Sequence, residues 1–207
     1  MGQDKPKIVV VGSSNMDLVV KAARIPAVGE TILGEDFIMT PGGKGANQAV
    51  AAAKLGAEVY FVAKLGHDVF AEQSLNNFRK AGVNTEYVFQ TEEMPSGVAL
   101  ITVDQAGDNV IVVAPGANQK LSPQDVEKAQ TAIASSGAVV AQLEVPLETV
   151  EFSARLAGGA GVPFILNPAP AQKLSLDLLA IVDVLTPNET EAAILTGIEV
   201  TNKDTAE

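Results

Sequence analysis

Lys44 and Asn47 lie in Pro41-Gly42-Gly43-Lys44-Gly45-Ala46-Asn47, a stretch that sets an ammonium group and a carboxamide among three glycines. Without a Cβ, Gly42 and Gly43 let the main chain close on a ligand. After them Ala46, Ala49, Val50 and Ala53 recur at i, i+3, i+4, i+7, which predicts a helix over about 45–55 with its first N–H groups facing the glycine turn. Three residues apart on that helix, Lys44 and Asn47 share a face and can address one ligand. The chemistry open to such a site is the holding of a polar or anionic ligand by donors. The plainer alternative is a helix start behind a flexible loop, with the lysine in solvent. A Walker-type phosphate loop does not fit, because it needs Ser or Thr after the lysine and Lys44 is followed by Gly45.

Other polar residues fall just after apolar runs. Asn15 and Asp17 follow 8–11 across a Gly12-Ser13-Ser14 turn, Glu144 follows 138–143, and Asn167 and Asn188 follow the runs that end at Leu166 and Leu185. Ligands of open α/β sheets bind outside the carboxyl ends of the strands, so these residues are expected on one rim. Carboxylates and amides there supply the acceptors and donors a polyol needs. Singly, each has a plainer role. Asn15 can cap a turn and Asp17 can begin a strand; Glu144, before Val145-Pro146, can be the acidic first turn of a helix. Asn188-Glu189-Thr190-Glu191 has the spacing of a capping box, with Asn188 as N-cap and Glu191 at N3. His67, the only histidine, reads as a loop residue in Gly66-His67-Asp68 rather than as a catalyst.

The elements that must position these groups alternate along the chain. Continuous apolar runs at 8–11, 59–63, 138–143, 163–166 and 182–185 predict buried parallel strands. Helical patterns lie between them at about 45–55, 69–81, 123–134 and 147–157. The sum is an α/β fold: a doubly wound, mainly parallel sheet flanked by helices. Two stretches depart from it, 17–39 and the pair 98–103 with 110–113, and these predict a small β-sheet projecting from the main one. With 207 residues, 47% hydrophobic and 19% charged, the chain can bury a full core as one domain. No apolar run approaches the roughly 20 residues that span a bilayer, and Met1-Gly2-Gln3-Asp4-Lys5 carries no signal-peptide pattern. The absence of cysteine excludes disulfide and thiolate chemistry and suits the cytoplasm. A formal charge of −11 argues against a nucleic-acid partner, so an anionic ligand must be met by local donors or a bound metal.

Five segments taken together are similar to one family. Gly12-Ser13-Ser14-Asn15-Met16-Asp17, Pro41-Gly42-Gly43-Lys44-Gly45-Ala46-Asn47-Gln48-Ala49, Leu143-Glu144-Val145-Pro146, Asn167-Pro168-Ala169-Pro170 and Thr186-Pro187-Asn188-Glu189-Thr190-Glu191 resemble the ribokinase-like, or pfkB, carbohydrate kinases. A Rossmann-type dinucleotide enzyme is disfavoured, since the first segment lacks the second and third glycines of G-x-G-x-x-G. The resemblance implies an α/β core of residues 1–14, 40–97 and 114–207, and a β-lid of residues 15–39 and 98–113 that covers the sugar and makes a homodimer contact. It implies transfer of the γ-phosphoryl group of ATP to the primary hydroxyl of D-ribose, giving ribose 5-phosphate. It places Asn15, Met16 and Asp17 on one side of the sugar, Gly43, Lys44, Gly45, Ala46 and Asn47 on the other, and Glu144 as a further carboxylate. Asn188 is expected near the nucleotide phosphates, and Glu191 is expected to help position Mg2+ through water. The partners so implied are ribose and ATP, with neither nucleic acid nor membrane, and K+ is expected in a full-length protein.

No catalytic residue is assigned within the chain. The family's base is an aspartate in a later G-A-G-D segment, expected beyond Glu207. Ala106-Gly107-Asp108-Asn109 falls in the predicted hairpin turn, so Asp108 is not given that role. Thr201-Asn202-Lys203-Asp204 predicts a new helix, with Thr201 as N-cap and Asp204 at N3. The C-terminal part of the sheet is therefore expected to be missing, and the 207 residues alone to be inactive. Another sugar or nucleoside kinase of the family, or a non-catalytic sugar-binding or assembly fragment, are the alternatives.

Overall fold

Strands rich in valine, isoleucine and alanine can be buried on both faces, which is the condition for a parallel sheet covered by helices. The computed structural model describes residues 5–206 and has such a sheet. Its strands are β1 (Lys7–Val11), β4 (Glu58–Gly66), β5 (Val83–Asn84), β6 (Val88–Thr91), β9 (Ala138–Ala141), β10 (Phe164–Leu166) and β11 (Val184–Leu185). They run in the order β11-β10-β9-β1-β4-β5, with β6 also on β4, and every pairing is parallel. On β1 the alternation is plain: Val10 packs into one apolar cluster, while Val9 and Val11 pack into the other.

Each cluster is closed by helices on its own side. Ala46 and Ala49 of α1 (Lys44–Lys54) and Phe78 of α2 (Val69–Ala81) cover Val59, Phe61 and Ala63. Phe61 and Phe78 meet edge to face with ring centroids 5.2 Å apart. On the opposite face Val126 of α3 (Pro123–Lys128), Ile133 of α4 (Gln130–Ala134) and Val150 and Ala154 of α5 (Leu147–Gly159) pack over Val9, Val11 and Val139. The helix expected over 123–134 is thus two. Ser122 and Asp125 form a capping box that starts the first, and an Ala129 N–H to Val126 carbonyl bond tightens its last turn. The bend buries Val126, Ala129 and Ile133 together, a gain that periodicity along one straight helix does not anticipate.

Other boundaries move for local reasons. β9 ends at Ala141 rather than 143, because the Leu143 N–H turns to the Ala169 carbonyl. β11 is only Val184–Leu185, since Ile181 and Val182 close the turn after α6 (Leu176–Leu179). Two further helices follow, α7 (Glu189–Thr196) and α8 (Lys203–Ala206). α8 starts one residue later than expected. Asn202 Oδ1 accepts from the Thr205 N–H, so Asn202 and not Thr201 is the cap, and N3 is Thr205; the Asp204 side chain lies outside the described residues.

The second sheet has four strands in the order β3-β2-β7-β8: β2 (Asn15–Ala22), β3 (Gly34–Gly42), β7 (Gly97–Val103) and β8 (Asn109–Ala114). β2 pairs parallel with β7 and antiparallel with β3, and β7–β8 is the hairpin expected from the sequence. Asp108 lies in its turn, where Asp104 Oδ1 accepts from the Ala106 and Asp108 N–H groups. β3 continues through Thr40, Pro41 and Gly42, past residue 39, so it delivers the chain directly into α1. Asn15 is aligned with Gly42 on one side and Gly97 on the other, and this row meets the carboxyl end of the main sheet. Phe37, Ile38 and Met39 of β3 and Val110 to Val113 of β8 are exposed.

Candidate functional site

Two turns interlock where the sheets meet. Gly43 caps α1 with φ of 90°, a conformation that favours glycine, and offers no side-chain hydrogen bond to the helix. The missing cap comes from elsewhere: Glu144, just after β9, accepts from the Lys44 N–H at 3.0 Å and from the Ser13 hydroxyl, both through Oε2. The Ser13 Oγ in turn accepts from the Gly45 N–H at 3.3 Å, and the Ser13 carbonyl accepts from the Ala46 N–H at 2.8 Å. Glu144 therefore stands where an N-cap side chain would, supplied from another strand.

Asn15 and Asp17 reach the same place along β2, two residues apart and so on one face of it. Asn15 is buried, and its Oδ1 accepts from Asn118 Nδ2 at 2.7 Å. Asp17 lies across Gly42, where an added Cβ would land on its carboxylate. Burial raises the Asp17 carboxyl above the ordinary range, and the charge of Glu144 raises it further. Met16, between them, points to the opposite face and is 2% exposed, so its side chain serves packing. A cleft of about 360 Å³ opens beside these groups, lined by Asn15, Lys44, Asn118, Glu144, Val113 and Leu143 among others. Asn47 is exposed and lines a neighbouring hollow of about 210 Å³ with Pro41, Ala46 and Val50. Lys44 and Asn47 thus address adjoining spaces, not one.

The remaining candidates stand apart from this cleft. Asn167 Nδ2 donates to the Thr186 carbonyl at 3.0 Å and ties the ends of β10 and β11 together. Asn188 and Glu191 form the expected capping box of α7: Glu191 N–H to Asn188 Oδ1 at 2.8 Å and Asn188 N–H to Glu191 Oε2 at 2.9 Å. Asn188 also lines a hollow of about 280 Å³ with Pro187, Glu189, Ala192 and Val200. Asn188→Ala is expected to cost about 1 kcal/mol of local helix stability; amide exchange at 190–193 should quicken while β1 and β4 keep their protection. His67 is a loop residue at 68% side-chain exposure, 3.6 Å from Glu92. The hollow beside it, about 430 Å³, includes Asp68, whose carboxylate is already engaged. Burial acts to raise that carboxyl, but hydrogen bonds from the Ser96 and Ala71 N–H groups and the Ser96 hydroxyl outweigh it and hold it low.

A glycine-capped helix, a strand with Asn15 and Asp17, and a carboxylate from a third strand are the expected parts of one family's site, and the profile of the "pfkB family carbohydrate kinase" matches residues 5–207. The chain belongs to the pfkB family of carbohydrate kinases. This pfkB member is 44% identical over 199 residues to the ribokinase of Haemophilus influenzae, covering 96% of this chain and 65% of that one. It is 41% identical over 198 residues to the deoxyribokinase of Salmonella typhi, again covering 65% of that protein. The structure of Arabidopsis thaliana ribokinase complexed with ribose and ATP matches it with a TM-score of 0.88 at 34% identity, over 97% of this chain and 66% of that one. The pfkB chain thus spans about 65% of the length of the curated relatives it matches.

Two residues that hold the pfkB cleft together, one beneath it and one lining it, escape a reading of the sequence. Ser13 sits in the Gly12-Ser13-Ser14 turn, where a serine reads as a turn former, and nothing local announces Glu144 as its partner. Asn118 lies in a 3-10 helix over Gly116–Lys120, after Pro115-Gly116. Its signal was available in kind: an amide after a strand and a glycine turn, as at Asn15. It follows a strand of the small sheet, however, and so falls outside the rule about the rim of a parallel one.

Proposed function

We propose that this pfkB kinase transfers the γ-phosphoryl group of ATP to the primary hydroxyl of D-ribose, giving ribose 5-phosphate and ADP. The observation that carries the reading is the convergence of Asn15, Lys44 and Glu144 on a 360 Å³ cleft at the junction of the sheets, with Asp17 against Gly42 and near Glu144, in a chain similar to ribokinases along almost its whole length. Asp17 accepts hydrogen bonds from sugar hydroxyls, and Asn15 and Lys44 donate to their oxygens. Gly43, Gly45 and Ala46 form the wall through which the main chain approaches the sugar, and Asn47 closes it from the adjoining hollow. Met16 contributes by packing, which holds Asn15 and Asp17 in register, and Glu144 contributes by holding α1 to the Ser13 turn. The small sheet serves as the lid. Its exposed apolar residues on β3 and β8 are the surface through which two copies pair.

The nucleotide end fits the same reading. With Asn188 Oδ1 taken by the helix, its NH2 group remains to donate to a phosphate oxygen of ATP. Glu191 keeps one carboxylate oxygen beyond its cap bond, which suits a water carried by Mg2+. Among the described residues no group of three or more His, Asp or Glu is placed to hold a metal ion; magnesium commonly keeps several of its waters, which suits contact with Glu191 through one of them. Bound there, Mg2+ would neutralise phosphate charge. No described residue is assigned to K+ or to the base that accepts the hydroxyl proton. An ATP-dependent sugar kinase belongs with the cytoplasmic ATP pool. No helix among the described residues is long and apolar enough to cross a membrane.

Calorimetric titration with ribose, 2-deoxyribose and adenosine, followed by an ADP-release assay, tests the reading. Saturable heat with ribose and weaker heat with the other two is expected. Preference for 2-deoxyribose would move the protein to the deoxyribokinases, and preference for adenosine to the nucleoside kinases. Silence with all three would remove the sugar site.

A further inference from the structure

Asn118 is 1% exposed and its side chain makes three hydrogen bonds, all to the turn and strand that carry Asn15. Their directions are determined by backbone groups. The Ser14 N–H can only donate, so the Asn118 atom 2.9 Å from it is the carbonyl oxygen. The Ser14 carbonyl can only accept, so the atom 3.2 Å from it is the Asn118 NH2 nitrogen. That nitrogen has one hydrogen left, and 2.7 Å away it meets Asn15. Asn15 must answer with its oxygen. Its own NH2 group is then the end left for the cleft that Asn15 lines.

The surroundings leave no room for another arrangement. A Cβ at Gly97, the neighbour of Asn15 across the β2–β7 pair, would fall on both Asn15 Oδ1 and Asn118 Nδ2. The 3-10 helix that carries Asn118 is pinned at both ends, by the Ala117 N–H to the Pro95 carbonyl at 2.7 Å and by the Thr149 hydroxyl to the Leu121 carbonyl at 2.7 Å.

We infer that Asn118 is a positioning residue that locks the Asn15 carboxamide with its NH2 end toward the sugar, so that Asn15 reads a hydroxyl oxygen as a donor. The inference rests on the sugar-site reading given above. It makes the two residues of β2 complementary: one hydroxyl can donate to the Asp17 carboxylate while its oxygen accepts from Asn15. A freely rotating Asn15 would present its oxygen half the time and compete with Asp17 for the same hydrogens.

A double-mutant cycle in ribose titrations of the whole chain tests this, with melting temperatures recorded alongside. In Asn118→Asp the residue keeps its shape and still accepts from the Ser14 N–H, but it no longer donates to the Ser14 carbonyl and it offers Asn15 an acceptor. Asn15 then turns its NH2 inward and its oxygen outward. The ribose Kd is expected to rise about tenfold. Asn15→Ala is expected to weaken binding to a similar degree, and Asn118→Asp added to Asn15→Ala to change it by less than about twofold, because the residue acted on is gone. Losses that multiply would overturn the inference, since a purely structural or directly ligand-binding Asn118 works in either background. If Asn118→Asp does not fold, the wild-type protein decides by NMR of its side-chain amides under ribose titration. The Asn15 NH2 resonances should shift while those of Asn118 stay unmoved and protected from exchange; the reverse pattern overturns the inference. A wild-type protein that binds no ribose removes the sugar-site reading itself, whereas wild-type binding with an indifferent Asn118→Asp removes only the role of Asn118.

Discussion

Asp17→Ala is expected to weaken ribose binding about 100-fold while leaving the protein at least as stable as before. The loss follows from removing a charged acceptor from a partly buried site, where hydrogen bonds to a charged group contribute about 1.5–3 kcal/mol and every 1.4 kcal/mol is about tenfold in Kd. The stability follows from the electrostatics of the empty site. Burial, and then the nearby Glu144, raise the Asp17 carboxyl above its ordinary pKa of 3.8, so ionised Asp17 is a strain on the fold. As pH rises through that ordinary value the unfolded chain gives up its proton first, and the folded protein loses stability until Asp17 has ionised there too. The contribution has the opposite sign to that of Asp68 and Asp125, which are held low and support the fold above their ordinary pKa. Asp17→Asn isolates it: the variant should gain on the wild type in melting temperature as pH is raised from about 4 toward neutrality. Parallel melting curves over that range would show that the site imposes no such strain, and unchanged ribose affinity in Asp17→Ala would remove Asp17 from the pocket.

The second large effect is at Gly45. Alanine is the better helix former by about 1 kcal/mol, so propensity alone predicts that Gly45→Ala strengthens α1. Packing predicts the reverse. A Cβ there would lie 2.6 Å from Ser13 N, 2.7 Å from Gly12 C and 2.8 Å from Gly12 Cα, all main-chain atoms that cannot rotate away. Overpacking of this kind costs about 1–3 kcal/mol or more, and it would also pull the Lys44 N–H from Glu144, now 3.0 Å away. The net expectation is about 2 kcal/mol of destabilisation, or a melting temperature lower by about 4–8 °C, with weakened ribose binding. Gly158 is the matched control: it lies in α5 with nothing within 4 Å of its would-be Cβ, so Gly158→Ala should be neutral or stabilising by up to about 1 kcal/mol. Two variants that behaved alike would mean that α1 can move away from the Gly12–Ser13 turn.

What was legible in the sequence was whatever depends on near neighbours. The apolar runs of β1 and β4, the helical spacing after Gly43, the β7–β8 hairpin and the Asn188–Glu191 capping box each lie within a few residues of chain, and each is present. Local pattern failed where burial overrode it. A single helix over 123–134 satisfies periodicity, but only a bend at Ala129 lets both halves reach the sheet. Met16 sits inside a polar motif, yet strand alternation turns it away from its neighbours and into the core.

The α/β class and the amide and carboxylate chemistry at the strand ends are written in local stretches of the chain. Which of those groups meet, and how each is aimed, depends on contacts between segments far apart in it. The Ser13–Glu144 bond joins residues 131 apart, Lys44–Glu144 joins residues 100 apart, and Asn118 reaches Asn15 across 103. Bonds at such separations leave no period or cap in the chain, because they exist only after β1 has paired with both β4 and β9 and the small sheet has folded over their ends.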